Sequence, residues 1–236
     1  MSNGVVIPAA GQGKRMNSKV NKLYIELMGR PVLAHTLSVF ISNNSIDQII
    51  VVTAADEIDY CRENIINKYF KKNVELVAGG KTRRESVFAG LQAFSPAIDY
   101  VIIHDGARPL ITQSLLNRVI ETLNSYNAVV VGTRLKDTVK RVDSEDFVVE
   151  TPQRSTLMTV QTPQAFLYKD ILEAHKKVPE DYPATDDASL LEYMGKPVKV
   201  IEGSYENIKI TVPLDIITAE NILKQRRKCF EDRDRL

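Results

Sequence analysis

A chain of 236 residues, 44% hydrophobic and 26% charged, is long enough for one large α/β domain, or one domain with an appendage, and has the composition of an ordinary globular protein. Its 31 basic side chains are offset by 30 acidic ones, which argues against a general affinity for nucleic acid or an anionic membrane, so any basic site has to be local. Cys61 and Cys229 fit no metal-ligand spacing, no run approaches the ~20 apolar residues of a membrane span, and the start lacks a signal-peptide pattern, so a cytoplasmic protein is expected.

The chain opens on Gly4-Val5-Val6-Ile7-Pro8-Ala9-Ala10-Gly11-Gln12-Gly13-Lys14-Arg15-Met16. Val5 to Ile7 suits a strand covered on both faces. Ala9 to Gly13 lack the bulk that would hold a ligand away from the main chain, so backbone N–H groups there can face phosphate oxygens. Lys14, Arg15 and then Lys22 add positive charge, and the stretch reads as a polyphosphate loop. Two common phosphate motifs do not fit. A P-loop needs Gly and a hydroxyl residue where Pro8 and Arg15 stand, and the dinucleotide fingerprint needs Gly where Met16 stands. The plainer alternative is a tight turn with solvated cations.

Val32 to Phe40 carries apolar residues at helical spacing, Ile46 to Val52 reads as a second strand, Asp56 to Phe70 as a helix and Val74 to Val77 as a third strand. Gly79-Gly80 breaks the chain, and Thr82 can cap a helix that buries Val87, Leu91 and Phe94. Tyr100 to Ile103 is a fourth strand leading into His104-Asp105-Gly106-Ala107-Arg108-Pro109. Thr112 can cap a helix through Leu123, and Ala128 to Val131 is a fifth strand. This alternation predicts a largely parallel sheet with helices on both faces. Arg134 to Val160 then loses the helical period, and two short strands flanking Asp143-Ser144-Glu145-Asp146 predict a hairpin arm too small to stand alone. Past Tyr168, a helix over 169–177 is expected, with another opening at Thr185-Asp186-Asp187-Ala188-Ser189. Late strands are expected at 198–202 and 207–211, and a last helix starts at Pro213.

Ligands of such sheets bind at the carboxyl ends of the strands. That rule gathers the first loop, Asp105 with Arg108, and Lys209 on its late strand into a set of cations around one carboxylate, as transfer at a phosphoryl centre requires. Each has a plainer reading: Asp105–Arg108 as a loop-bracing ion pair, Lys209 as a solvent-facing lysine, His104 as a packed strand-end histidine, and Asp186-Asp187 as acids at a helix start.

Taken in order, these segments resemble the 2-C-methyl-D-erythritol 4-phosphate cytidylyltransferases. The resemblance rests on residues 9–16, Lys22, Gly79-Gly80 with Arg83 and Ser86-Val87, and His104 to Pro109. It continues through Asp137-Thr138-Val139-Lys140, Thr151 with Arg154, Gln161-Thr162-Pro163-Gln164-Ala165-Phe166, residues 185–189 and Asn207-Ile208-Lys209-Ile210-Thr211. It implies a single nucleotidyltransferase domain over 1–236, with a Rossmann-like, mostly parallel sheet and a protruding β-arm at about 134–160, in the style of nucleotide-diphospho-sugar transferases. It implies CTP and a polyol phosphate as substrates, Mg²⁺ as cofactor with Asp105 as a ligand, and a homodimer joined through the arm. Arg15, Lys22 and Lys209 would stabilise the α-phosphate in the transition state. Ala9, Ala10, Gly11, Gly13 and Lys14 would line the CTP phosphates, Gly80 and Ser86 the cytosine, and Asp105 and Arg108 the ribose and phosphates. Thr138, Arg154 and Thr162 would contact the acceptor, partly from a partner's arm. The rivals are a ribitol 5-phosphate cytidylyltransferase, a nucleotide-sensing module of the same fold, and a Rossmann oxidoreductase, the last disfavoured by Met16.

Overall fold

The computed structural model of the chain describes residues 1–11 and 21–233. The first half runs β1 (Asn3–Pro8), a 3-10 turn at Lys22–Tyr24, the short hairpin β2 (Glu26–Leu27) and β3 (Arg30–Pro31), α1 (Val32–Ile41), β4 (Gln48–Thr53), α2 (Ile58–Cys61) and, through a π turn, α3 (Asn67–Tyr69). It continues with β5 (Glu75–Ala78), α4 (Arg83–Gln92), β6 (Tyr100–Ile103), α5 (Gln113–Thr122) and β7 (Ala128–Arg134). The second half holds β8 (Arg141–Val142), β9 (Val148–Glu150), β10 (Met158–Leu167), α6 (Tyr168–Lys177), α7 (Ala188–Tyr193), β11 (Lys199–Glu202) and α8 (Pro213–Arg233).

Seven strands form one sheet in the order β11-β7-β10-β6-β1-β4-β5. Every ladder in it is parallel except those of β10, which runs antiparallel to β6 and β7. Because successive strand side chains point to opposite faces, one apolar run feeds two cores. Val5, Ile7, Ile49, Val51 and Ile102 pack on one face, and Val6, Ile50, Val52, Val101 and Ile103 on the other. All are essentially removed from solvent, and each contributes about 1.5–3 kcal/mol relative to exposure, so Val6→Asp would break both the packing and the sheet's centre. Thr82 and Thr112 cap α4 and α5 as the sequence predicts, accepting from the N–H groups of Glu85 and Leu115.

Two expectations need correcting. The sequence reading contains no strand at β10, yet this strand sits inside the sheet. Pro163 argues against a central strand, but the β7 ladder changes register between Gln161 and Gln164, and that irregularity accommodates a residue without an N–H. Conversely, residues 207–211 form no strand and join no ladder. Their alternation arises because Ile210 is buried beneath the loop after β6, donating its N–H to the Ala107 carbonyl (2.8 Å), while Asn207 Nδ2 donates to the Thr162 carbonyl (2.9 Å). Lys209 is therefore carried by a strap across the strand ends. The arm is present: β8 and β9 pair with each other alone, and Phe147, Val148 and Val149 on it are exposed.

Candidate active site

Three strand ends meet at one edge of the sheet. The Ala9 N–H donates to the Val52 carbonyl (2.6 Å), Gly79 to Thr53 (2.8 Å) and Gly106 to Pro8 (3.3 Å). These bonds bring the first loop, the Gly79-Gly80 break and the Asp105–Ala107 turn side by side. Gly79 has no room for a side chain: a Cβ there would lie 2.7 Å from Ser86 Oγ and 2.8 Å from Ala10 Cβ. The result is a cavity of about 190 Å³. Ala9, Ala10, Gly11, Gly80 and Ser86 line it, with Lys22, Lys81, Arg83, Asp105 and Lys209 supplying its charges.

Lys22 opens a 3-10 turn whose preceding residue, Asn21, accepts from the Leu23 N–H (3.1 Å) and donates to Glu57 Oε2 (2.9 Å). Lys22 Nζ donates to the Ile210 carbonyl (2.8 Å), one residue from Lys209. Two lysines from opposite ends of the chain thus share one wall. Lys209 Nζ lies 2.7 Å from Asp105 Oδ2, Arg83 Nε 3.4 Å from Oδ1, and Arg108 Nε 3.7 Å from Oδ2. Burial alone would raise the Asp105 carboxyl, but Arg83 and Lys209, with Arg108, hold it well below the usual carboxylate range. Arg108 is itself lowered by burial, and its Nη1 donates to the Asn207 carbonyl (2.8 Å). The ion-pair reading of Asp105–Arg108 is correct and compatible with a site, because the same carboxylate faces the cavity. His104 is the packed histidine of its plainer reading, fully buried against Phe40.

A second cavity of similar size, about 190 Å³, adjoins the first, and Arg83, Asp105 and Lys209 line both. Its other walls include Arg108, Thr162, Gln164 and Thr185. Arg108 lines this cavity and not the first. Thr162 accepts the Asp105 N–H at Oγ1 (3.0 Å), so the acidic turn and β10 are fixed to one another. Thr138 and Arg154 are exposed on the arm and line neither cavity of their own chain; Arg154 Nη1 donates to the Lys136 carbonyl (2.6 Å). The expectations for Gly13, Lys14 and Arg15 fall outside the described residues.

In sequence Arg83 and Thr185 carry no site role, and Asp187 reads only as an acid at a helix start. Arg83 carries one signal in retrospect: a cation at the first position of a helix opposes the helix dipole and needs a reason to be there. No three His, Cys, Asp or Glu side chains among the described residues group into a metal cage. Asp105 is the one carboxylate lining the first cavity among those residues, and Oδ1 has only the long Arg83 contact. This donor set suits a Mg²⁺ that arrives on a polyphosphate and takes most of its ligands from phosphate and water.

The family model for IspD, 2-C-methyl-D-erythritol 4-phosphate cytidylyltransferase, matches residues 4–225. The chain is 47% identical over 226 residues to the 2-C-methyl-D-erythritol 4-phosphate cytidylyltransferase of Alkaliphilus oremlandii, covering 95% of this chain and 96% of that one. It is 44% identical over 225 residues to that of Clostridioides difficile, covering 95% and 94%. Among solved structures, the 4-diphosphocytidyl-2C-methyl-D-erythritol synthase of Anaerococcus prevotii superposes with a TM-score of 0.85 at 38% identity, covering 94% of this chain and 98% of the other. The Thermus thermophilus cytidylyltransferase superposes with a TM-score of 0.75 at 28% identity, covering 95% and 100%.

Proposed function

This chain belongs to the 2-C-methyl-D-erythritol 4-phosphate cytidylyltransferase family, and from that premise we propose how its own residues divide the work. The enzyme transfers CMP from CTP to 2-C-methyl-D-erythritol 4-phosphate, giving 4-diphosphocytidyl-2-C-methyl-D-erythritol and pyrophosphate. The observation that carries the assignment is the wall of Arg83, Asp105 and Lys209 shared by the two cavities. CTP occupies the first cavity, with cytosine against Gly80 and Ser86 and the phosphates along Ala9–Gly11 toward Lys22. The acceptor's phosphate occupies the second, held by Arg108, Thr162 and Thr185. The α-phosphorus then lies at the wall between them.

An oxygen of the acceptor phosphate attacks the α-phosphorus in line, the new P–O bond forms, and the bond to pyrophosphate breaks. No proton has to be removed from a phosphate monoester dianion, so the protein's task is to position the groups and offset their charge. Lys22 and Lys209, with Arg15 from the first loop, stabilise charge on the equatorial oxygens as it develops. A bound Mg²⁺ would neutralise triphosphate charge, with Asp105 as its protein ligand. Thr138 and Arg154 complete the second cavity of a partner copy, and the exposed Phe147, Val148 and Val149 are covered in that dimer. No helix among the described residues is long and apolar enough to cross a membrane, and we place the enzyme in the cytoplasm.

The test is a product assay on Thr185→Val with CTP, Mg²⁺ and methylerythritol phosphate, with ribitol 5-phosphate run alongside. Loss of one phosphate-facing hydroxyl should raise KM for the acceptor about tenfold and leave KM for CTP unchanged. A rise confined to CTP would reverse the assignment of the two cavities.

A further inference from the structure

The stretch from Thr185 to Ser189 looks in sequence like an acid-rich helix start, and for Asp186 the structure agrees: its Oδ1 accepts the Ser189 N–H (3.0 Å). Asp187 does something different. It is 1% exposed and its side chain caps no N–H of α7, while its Oδ2 lies 2.7 Å from Arg83 Nη2. Arg83 reaches Asp105 through Nε, so a single guanidinium spans two carboxylates. Asp187 lines neither cavity, whereas Arg83 and Asp105 line both. A buried carboxylate that touches no ligand-accessible space and grips an arginine that does is placed to orient that arginine.

Asp187 is surrounded by side chains from β10, α4 and α6. His175, also buried, has Nε2 3.5 Å from Asp187 Oδ1, and its ring stacks on Phe88 with centroids 5.8 Å apart. Gln164 on β10 accepts the N–H groups of Asp187 and Ala188 (both 3.2 Å) and donates to Asp186 Oδ2 (2.7 Å). The same strand carries Thr162, which accepts from Asp105. Burial alone would raise the Asp187 carboxyl, yet Arg83 and His175 draw it below the usual range, so it stays ionised as a counter-charge. Arg83 needs such a hold. It is the first residue of α4, where the helix dipole disfavours a cation, and an arginine left loose has many rotamers pointing to water.

We propose that Asp187 is a positioning residue for the cytidylyl transfer: from behind the wall it clamps Arg83 so that the guanidinium faces CTP and acceptor together, and His175 holds Asp187 in place. This rests on the assignment of the two cavities made above. Because it acts through Arg83, removing it should cost nothing once Arg83 is gone.

The experiment is a double-mutant cycle of Asp187→Asn, Arg83→Gln and both together, reading kcat and KM for each substrate beside thermal unfolding. Asp187→Asn should lower kcat/KM for CTP about tenfold to a hundredfold, the loss expected when a charge contact is misplaced rather than deleted. Arg83→Gln should lose at least as much, and the double variant should match Arg83→Gln. Each single change should lower the melting temperature, and the double variant should recover part of it, because no unpaired buried charge remains. Losses that multiply in the double variant, or an Asp187→Asn enzyme with normal kinetics and only a lower melting temperature, would overturn the inference. If Asp187→Asn does not fold, equal activity of Arg83→Gln and the double variant still supports it, and a further loss overturns it. Normal kinetics for Lys22→Ala would instead overturn the cavity assignment itself.

Discussion

His104 gives the enzyme a pH-dependent stability that can be worked out from its surroundings. The ring is fully buried against Phe40, and Nε2 lies 3.2 Å from the Arg108 carbonyl, an acceptor, so Nε2 carries the hydrogen. A second proton would go to Nδ1, which has no partner among the described residues. Burial therefore lowers the imidazole from its ordinary 6.5 to about 4. Between those values the unfolded chain binds a proton that the folded chain refuses, so stability is lost as pH falls through this window and levels off below it. The full loss is about 3 kcal/mol, of which about 2 kcal/mol has gone by about pH 5. Asp105 and Asp187, whose carboxyls are lowered, lose their stabilising contribution only at more acidic pH, so the window belongs to histidine. His104→Phe keeps the ring shape, removes the titration and leaves the Arg108 carbonyl without this donor, a cost of about 1–2 kcal/mol. Urea unfolding at about pH 7.5 and about pH 5 should show the variant less stable than the parent at the first value and nearly equal to it at the second. Parallel pH profiles would refute the reasoning. His35 is also lowered by burial, but it is common to both proteins and cancels in the difference.

Other outcomes follow from the site. Lys22→Ala and Lys209→Ala should each lower kcat about a hundredfold or more while changing CTP affinity far less; equal losses of both would mean ordinary ground-state binding. Chelation with EDTA should abolish turnover and added Mg²⁺ restore it, while the melting temperature stays unchanged, since the described residues hold no metal cage; a large drop on chelation would show a structural metal instead. Phe147→Asp, on the exposed face of the arm, should shift the protein toward monomer in sedimentation and lower activity, because Thr138 and Arg154 would no longer reach a neighbour. A fully active dimer would show that the arm is not the joint.

Much of this was legible in the sequence because it is local. Val5 to Ile7 announces a doubly covered strand, Thr82 and Thr112 announce their helices through a hydroxyl and a nearby N–H, and the polar stretch between Arg134 and Val160 announces the arm. β10 was not legible, because Pro163 is a correct argument against a regular central strand and the register change that accommodates it leaves no local mark. Residues 207–211 misled for the opposite reason: Ile208 and Ile210 alternate as in a strand, but what selects the pattern is burial of Ile210 beneath the loop after β6. The clamp of Asp187 on Arg83 joins two helix starts far apart in the chain. Nothing local separates a carboxylate that caps a helix from one that grips a distant arginine; only the fold brings the two together.

One cavity should hold the triphosphate with Lys22 and Lys209 at its α-phosphorus. A crystal structure of the enzyme with CTP and Mg²⁺ tests this directly. It should show cytosine beside Gly80 and Ser86, the α-phosphate within ion-pair reach of both lysines, and the Arg108–Thr162–Thr185 cavity still open to an acceptor. A triphosphate bound away from those lysines, or lying in the second cavity, would contradict it.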